Sequence, residues 1–322
     1  MKILNQNLLD KIEDAKNRLD KSKVPNMIGE VFKTMEEQVM ENAPIQDRDN
    51  EERKIEVIEN FKKAWNYADK NLGSNLNYQT LKEIAGRVEP ILKSPQGNYA
   101  KFREGGARFS NIHYAPIDRF RIETQLDRLS QSIEVGEFHP LEESILKYFH
   151  LIRIQPFTNG NKRTANIIMN VGLKKLEFLP ITIPQGESIL FQDYLFGAIE
   201  GFKESGSETS EKLSPFLNPE QKQLQFYDYL ARRELSALRC AEDKMAGLQN
   251  YMINFESRSP NASYGLKHRL SGYLRGKNIP GQVKLNVREN NLEVIGEIPF
   301  NALEKIITES KGIKKININL IS

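Results

Sequence analysis

Apolar residues recur at helical spacing through most of the first two hundred positions. The clearest case begins after Asp47 or Asp49, either of which suits a helix N-cap. Its apolar stripe consists of Ile55, Ile58, Phe61, Trp65, Ala68 and Leu72. Comparable patterns predict helices over 8–19, 28–40, 78–88, 121–132, 140–153, 167–176 and 189–202. The pattern therefore predicts a mainly α-helical chain.

Three stretches depart from helical spacing. Residues 93–118 are rich in glycine and proline, and apolar pieces at 99–102 and 109–114 predict a β-hairpin. Residues 203–220 are rich in Ser, Glu and Pro, which is typical of a linker. After a long charged amphipathic helix predicted over 220–256, the pattern changes to strand, strand, helix and strand, which indicates a small α+β unit.

These changes of pattern divide the chain into four parts. We predict an N-terminal helical segment over 1–49, a helical core over 50–204, a linker with a long helix over 205–281, and a ββαβ unit over 282–322. Chains of 322 residues commonly hold a core domain with appendages.

Composition narrows the function classes. A net charge of +3 with interleaved acidic and basic residues argues against a nucleic-acid-binding surface. The single cysteine, Cys240, excludes a disulfide within the chain and fits a reducing, cytoplasmic setting. No run approaches the roughly 18 apolar residues that a membrane-spanning helix needs, so no membrane contact is predicted.

The segment Thr158-Asn-Gly-Asn-Lys-Arg163 is a polar loop at the start of an apolar helix. Helix N-termini attract anions because their first N–H groups lack acceptors within the helix. Gly160 allows close approach of a ligand to the backbone, and Arg163 can bind two phosphate oxygens at once. The loop therefore suggests a phosphate site, with an ordinary helix cap carrying solvated cations as the alternative.

The wider segment Ile154-Gln-Pro-Phe-Thr-Asn-Gly-Asn-Lys-Arg-Thr-Ala165 resembles the Fic/Doc (Fido) motif, His-Pro-Phe-x-Asp/Glu/Asn-Gly-Asn-Gly/Lys-Arg. The resemblance extends over about residues 50–204 and implies a Fic-type helical core. It also implies that residues 97–116 form the family's flap hairpin, which holds a segment of a target protein.

Fic proteins usually transfer AMP from ATP to a hydroxyl of another protein. The resemblance implies that Gln155 stands at the position of the base and that Phe157 anchors the loop. Nucleotide phosphates would be held by Gly160, Asn161, Lys162 and Arg163. The position that holds Mg²⁺ in the family carries Asn159.

The chain departs from the family pattern at three positions of this segment and the helix after it. Gln155 replaces the histidine that accepts the hydroxyl proton, and a neutral amide has no lone pair that titrates near pH 7. Asn159 replaces an acid, and a neutral oxygen binds Mg²⁺ more weakly. Asn166 stands where many AMP-transferring members have a second arginine. The combination of Lys162 and Asn166 is closer to the Doc branch, whose members can transfer phosphate.

Four interpretations follow from these departures. The chain is a Fic-type protein adenylyltransferase with impaired or altered catalysis, a pseudoenzyme that binds a nucleotide or a protein, a Doc-like phosphotransferase, or an engineered His-to-Gln form of an active enzyme. His150 is predicted to be a core histidine, because it lies on the apolar face of its helix.

Overall fold

The computed structural model describes residues 3–19, 21–41, 51–73, 75–95, 97, 99–106, 117–183, 187–208, 210, 212–245, 249–257, 259–276, 281–286, 291–296, 298, 300–310 and 312–321. They divide into two compact units, residues 1–17 with 21–238 and residues 18–20 with 239–322. The helices of the first unit are α1 (Gln6–Arg18), α2 (Val24–Glu41), α3 (Glu51–Asn71), α4 (Tyr78–Val88), α5 (Ile122–Gly136), α6 (Pro140–Ile154), α7 (Asn161–Lys175), α8 (Ser188–Glu204), α9 (Ser214–Leu217) and α10 (Gln221–Met245). Short 3-10 turns cover Pro90–Leu92 and Arg119–Arg121.

Helices α6 and α7 form the centre of this first unit. Almost every residue of α6 is buried, as expected of a helix surrounded by others. The apolar stripe predicted for α3 is also largely confirmed, because Phe61, Trp65, Ala68 and Leu72 are buried. Ile55, one turn from the start of the helix, belongs to the same stripe but has 58% of its surface exposed.

The start of α6 is fixed by a capping box. The side chain of His139 accepts a hydrogen bond from the N–H of Leu141, and Glu142 accepts one from the N–H of His139. Glu142 also accepts hydrogen bonds from the N–H groups of Ile3 and Leu4, 2.7 Å each. A buried carboxylate therefore ties the N-terminal segment to the helix that leads into the polar loop.

The second unit is a four-stranded antiparallel sheet with two helices. Its elements are β1 (Gln249–Ser257), α11 (Pro260–Gly276), β2 (Gly281–Asn286), β3 (Asn291–Gly296), α12 (Phe300–Thr308) and β4 (Ile313–Ile321). The strand order is β2-β3-β1-β4, which with βαββαβ connectivity is the ferredoxin-like topology. The core of this unit is formed by alternate residues of β1, Tyr251, Ile253 and Phe255, and by leucines of α11.

Several predictions need correction in this region. The helix predicted over 220–256 is too long, because α10 ends at Met245 and residues 249–257 form a strand. The predicted ββαβ elements are present, but β1 and α11 belong to the same sheet unit. The linker predicted over 203–220 contains α9, which buries Phe216.

Other predictions fall outside the described residues. They concern Asp47 and Asp49 as caps of α3, and the strand predicted over 109–114. The first predicted hairpin piece is represented by a single bridge between Lys93 and Ala100. Among the helices that the structure describes, none combines the length and apolarity required to cross a bilayer.

Glu234 of α10 makes stability depend on pH. Its carboxylate is fully buried, one oxygen accepts a hydrogen bond from the N–H of Leu179, and burial raises the pKa of Glu234 to about 8. The hydrogen bond from Leu179 and the charge of Lys16 oppose that rise of the pKa. Because the folded state keeps the proton that the unfolded state loses above about pH 4.5, the free energy of unfolding falls as pH rises from about 5 to 8.

We therefore predict that Glu234→Gln removes this loss of stability. The free energy of unfolding of the variant, minus that of the parent, should increase by at most about 1.4 kcal/mol per pH unit between pH 5 and 8. Urea unfolding of both proteins over this pH range measures the difference. Glu200→Gln, at an exposed position of α8, is the control. A difference between variant and parent that stays constant over this range would contradict the prediction.

Candidate functional site

The loop between α6 and α7 begins at Gln155, in the position predicted for the base. Gln155 is the C-cap of α6 and has φ +48, a left-handed conformation that is uncommon outside glycine. Only 8% of its surface is exposed. Its side-chain amide forms no hydrogen bond with the residues that the structure describes. Within the described parts of the chain, replacing this side chain therefore breaks no side-chain hydrogen bond.

Asn161, the first residue of α7, holds the middle of the loop. Its side-chain oxygen accepts from the N–H of Phe157 at 2.9 Å, and its side-chain nitrogen donates to the carbonyl of Phe157 at 2.8 Å. Phe157 is fully buried, and its ring lies 5.7 Å from that of Phe102. The predicted anchor is therefore in the core, and Asn161, predicted as a phosphate ligand, uses its side chain to fix the anchor's backbone.

Gly160 joins the loop to the first turn of α7. It has φ +72, where a side chain would strain the backbone, and an added Cβ would lie 3.2 Å from Val88. This turn leads directly into α7, whose first N–H groups have no acceptor within the helix. Lys162 follows as a half-buried residue.

Arg103 connects this loop to the segment predicted as the flap. Its guanidinium donates to the carbonyl of Gln155 at 2.7 Å, to that of Gly105 at 2.8 Å and to that of Ile117 at 2.5 Å. Its backbone N–H donates to the carbonyl of Pro156 at 2.9 Å. One buried cation therefore fixes both ends of segment 105–117 and the backbone at residue 155. The sequence analysis missed Arg103, because no local pattern marks it.

Arg163 is buried and paired with Glu89. Its Nη2 lies 2.8 Å from Oε2 of Glu89, and the same oxygen accepts a hydrogen bond from Nδ2 of Asn159 at 3.1 Å. Two of the predicted ligand positions therefore meet at one carboxylate, which the sequence analysis did not include. Asn166 has no charge to add, and its side-chain oxygen accepts a hydrogen bond from Asn170 at 3.2 Å.

Asn159, the predicted metal position, makes its polar contacts within and beside the loop. Its side-chain oxygen already accepts a hydrogen bond from the N–H of Gly160 at 2.7 Å. Its side-chain nitrogen donates to the carboxylate of Glu89, which is also paired with the guanidinium of Arg163. Over the described parts of the chain, no group of three or more His, Cys, Asp or Glu side chains could hold a metal ion.

Two buried basic side chains lie beneath the loop. His150 is fully buried, as predicted for a core histidine, and accepts a hydrogen bond from Nε of Arg153 at 3.3 Å. Burial and the charge of Arg153 hold the pKa of His150 well below its usual 6.5, so His150 is neutral at pH 7. Arg153 packs on the ring of Phe202 and donates to Gln125 at 2.7 Å. Both side chains are used within the core of the fold.

A cavity of about 550 Å³ lies elsewhere in the first unit, lined by Phe32, Trp65 and neighbouring residues of α2 and α3. None of the loop residues 155–163 lines it. The lysines at its rim, Lys21 and Lys174, are engaged by Glu177 and Asp69, each at 2.6 Å. This cavity is therefore not the phosphate site predicted from the sequence.

The segment that contains the loop matches a known protein family. Residues 75–173 match the model of the Fic/DOC family. The chain is similar to the protein adenylyltransferase Fic of Aedes aegypti, with 26% identity over 145 residues. That match covers 43% of this chain and 28% of the relative, so the chain corresponds to less than a third of the relative's length.

Solved structures show the same fold. A Fic domain-containing signaling protein from Bacteroides thetaiotaomicron is similar with a TM-score of 0.56 and 14% identity, over 75% of this chain and 97% of that one. A Fic family protein from Desulfovibrio desulfuricans is similar with a TM-score of 0.52 and 14% identity, over 94% and 83%. At such identity the likeness concerns the fold alone.

The hydrogen bonds of Arg103 lead to a test of loop stability. Arg103→Lys keeps the charge, but a single ammonium cannot reach carbonyls on both sides of the loop as the forked guanidinium does. We predict a loss of about 1.5–3 kcal/mol in the free energy of unfolding, the range for hydrogen bonds to charged groups. Arg121→Lys, at an exposed position, is the control. Identical urea midpoints for the two variants would contradict the prediction.

Proposed function

We propose that the chain binds a nucleotide, ATP in the first instance, by its phosphates at the loop 159–163, since residues 75–173 match the model of the Fic/DOC family. We further propose that it is related to enzymes that transfer AMP to protein hydroxyls, with transfer impaired by Gln155. One observation carries the proposal. The loop is held by Asn161 and Arg103 through backbone groups, so its shape does not depend on a histidine at 155.

The proposed defect concerns one proton. In AMP transfer, the target's hydroxyl oxygen forms a bond to the α-phosphorus of ATP, and pyrophosphate leaves. The hydroxyl proton must pass to a base, and the amide of Gln155 cannot accept it at neutral pH. A positioned base is worth about 10²–10⁴-fold in rate, so binding can persist where transfer is slow.

Backbone N–H groups at the start of α7 suit phosphate oxygens, and Arg163 supplies a buried guanidinium at the same turn. Residues 97–116 are proposed to hold a segment of a target protein, and residues 50–204 to form the Fic-like core. We place the protein in the cytoplasm, where ATP is abundant and a lone cysteine stays reduced.

A non-catalytic binding role is the second candidate, and a specific contact favours it. Glu89 already occupies Nη2 of Arg163, and Asn159 has its oxygen turned to Gly160. Both positions contribute to phosphate or metal binding in the proposed enzyme. A protein in which they are satisfied internally would bind a nucleotide or a protein partner without chemistry.

Binding is tested by calorimetry with ATP. We predict that the parent binds ATP and that Arg163→Ala weakens binding by about 1.5–3 kcal/mol, because a hydrogen bond to a charged group is lost. Arg121→Ala, at an exposed position remote in sequence from the loop, should leave the affinity unchanged. The absence of binding by the parent at millimolar ATP would count against the proposal.

Chemistry is tested by Gln155→His. Histidine tolerates left-handed backbone better than most residues, and the amide it replaces has no partner among the described residues. An imidazole with a pKa of about 6.5 would restore a base, so we predict that transfer rises by about 10²–10⁴-fold.

The measurement compares label transfer to protein from ATP labelled at the α or the γ phosphate. Transfer of α label supports AMP chemistry, and transfer of γ label alone supports the Doc-like alternative. Gln155→Asn, which supplies no base, is the matched control. If the histidine variant binds ATP but transfers neither label, the non-catalytic role becomes the better account.

A further inference from the structure

Glu89 forms one wall of the loop. It is the C-cap of α4, and its backbone N–H donates to the carbonyl of Ala85 at 2.9 Å. A Cβ added at Gly160 would lie 3.4 Å from Cβ of Glu89. The backbone of residue 89 therefore lies directly against the turn that begins α7, and Pro90 after it restricts the chain further.

The carboxylate of Glu89 accepts hydrogen bonds from two polar side chains of the loop. Oε2 lies 2.8 Å from Nη2 of Arg163 and 3.1 Å from Nδ2 of Asn159. The Arg163 side chain is 3% exposed and that of Glu89 is 18% exposed. Water screens such buried charges only weakly, so both the guanidinium and the carboxylate interact strongly with a charged ligand beside them.

This contact changes what the loop offers to an anion. With Glu89 beside it, Arg163 adds little net positive charge to the site. A phosphate that approaches the guanidinium also approaches a carboxylate, and the repulsion grows with the charge of the ligand. Asn166 provides no compensating charge on the next turn of α7.

We propose that Glu89 is a specificity-determining residue that biases the loop toward ligands of lower phosphate charge. It does so by neutralising Arg163, so that a nucleoside monophosphate, or a phosphate group of similar charge, is favoured relative to a triphosphate. The inference rests on the proposed function, since it concerns the same phosphate site. The opposite role, in which Glu89 aligns Arg163 for a polyphosphate, predicts the opposite effect of removing the charge.

The test uses ATP and AMP as probes in calorimetric titrations of the full chain. Glu89→Gln keeps the size of the side chain and an oxygen that can accept from Arg163, while it removes the negative charge. Glu83→Gln is the matched control, because Glu83 is a carboxylate of the same helix that pairs with Arg87 within α4. Thermal unfolding of each variant checks that it is folded.

We expect Glu89→Gln to bind ATP at least about tenfold more tightly, the lower end of the range for a contact with a charged group. AMP affinity should rise much less, so the ratio of ATP to AMP affinity increases, whereas Glu83→Gln leaves the ratio unchanged. An unchanged ratio in Glu89→Gln, or weaker ATP binding, overturns the inference while the phosphate site stands. If neither parent nor variant binds either nucleotide, the proposed function itself fails, and the inference fails with it.

Discussion

The site depends on the need to satisfy buried backbone groups in the short loop between two buried helices. A loop packed in a core cannot leave its N–H and carbonyl groups without partners, because each such group costs about 1–3 kcal/mol. Asn161 satisfies both backbone groups of Phe157, and Arg103 satisfies the carbonyl of Gln155. Both partners lie outside position 155, so these hydrogen bonds do not depend on the Gln155 side chain, although φ +48 there favours residues that tolerate left-handed backbone.

That constraint separates binding from chemistry. The parts that would hold phosphates are the start of α7, Gly160 and Arg163, and they are fixed by packing and backbone hydrogen bonds. The part that would move a proton is a single side chain, Gln155, which contributes no hydrogen bond to the described fold. Under the proposed function, a substitution at position 155 would therefore slow transfer while the fold of the loop is retained.

Sequence reasoning found those features whose signal is local. Helical periodicity located α3, α4, α6 and α7, and the motif placed a polar loop between α6 and α7, although α7 begins at Asn161, earlier than the predicted 167. Glu89 and Arg103 were missed because they reach the loop from 74 and 52 residues away, and no spacing rule connects such distant positions.

Strand β1 was missed for a different reason. Its alternation of Tyr251, Ile253 and Phe255 follows directly on an amphipathic helix, and only three residues separate the two elements.

The central claim is that the start of α7 binds nucleotide phosphates although the base position holds glutamine. The most direct measurement is a titration of ¹⁵N-labelled protein with ATP, followed through the backbone amide resonances. The account predicts saturable shifts at Gly160, Asn161 and Arg163, with no comparable change at Ile253 in the sheet unit. Unchanged loop resonances at millimolar ATP, or shifts confined to residues remote from the loop, would contradict it.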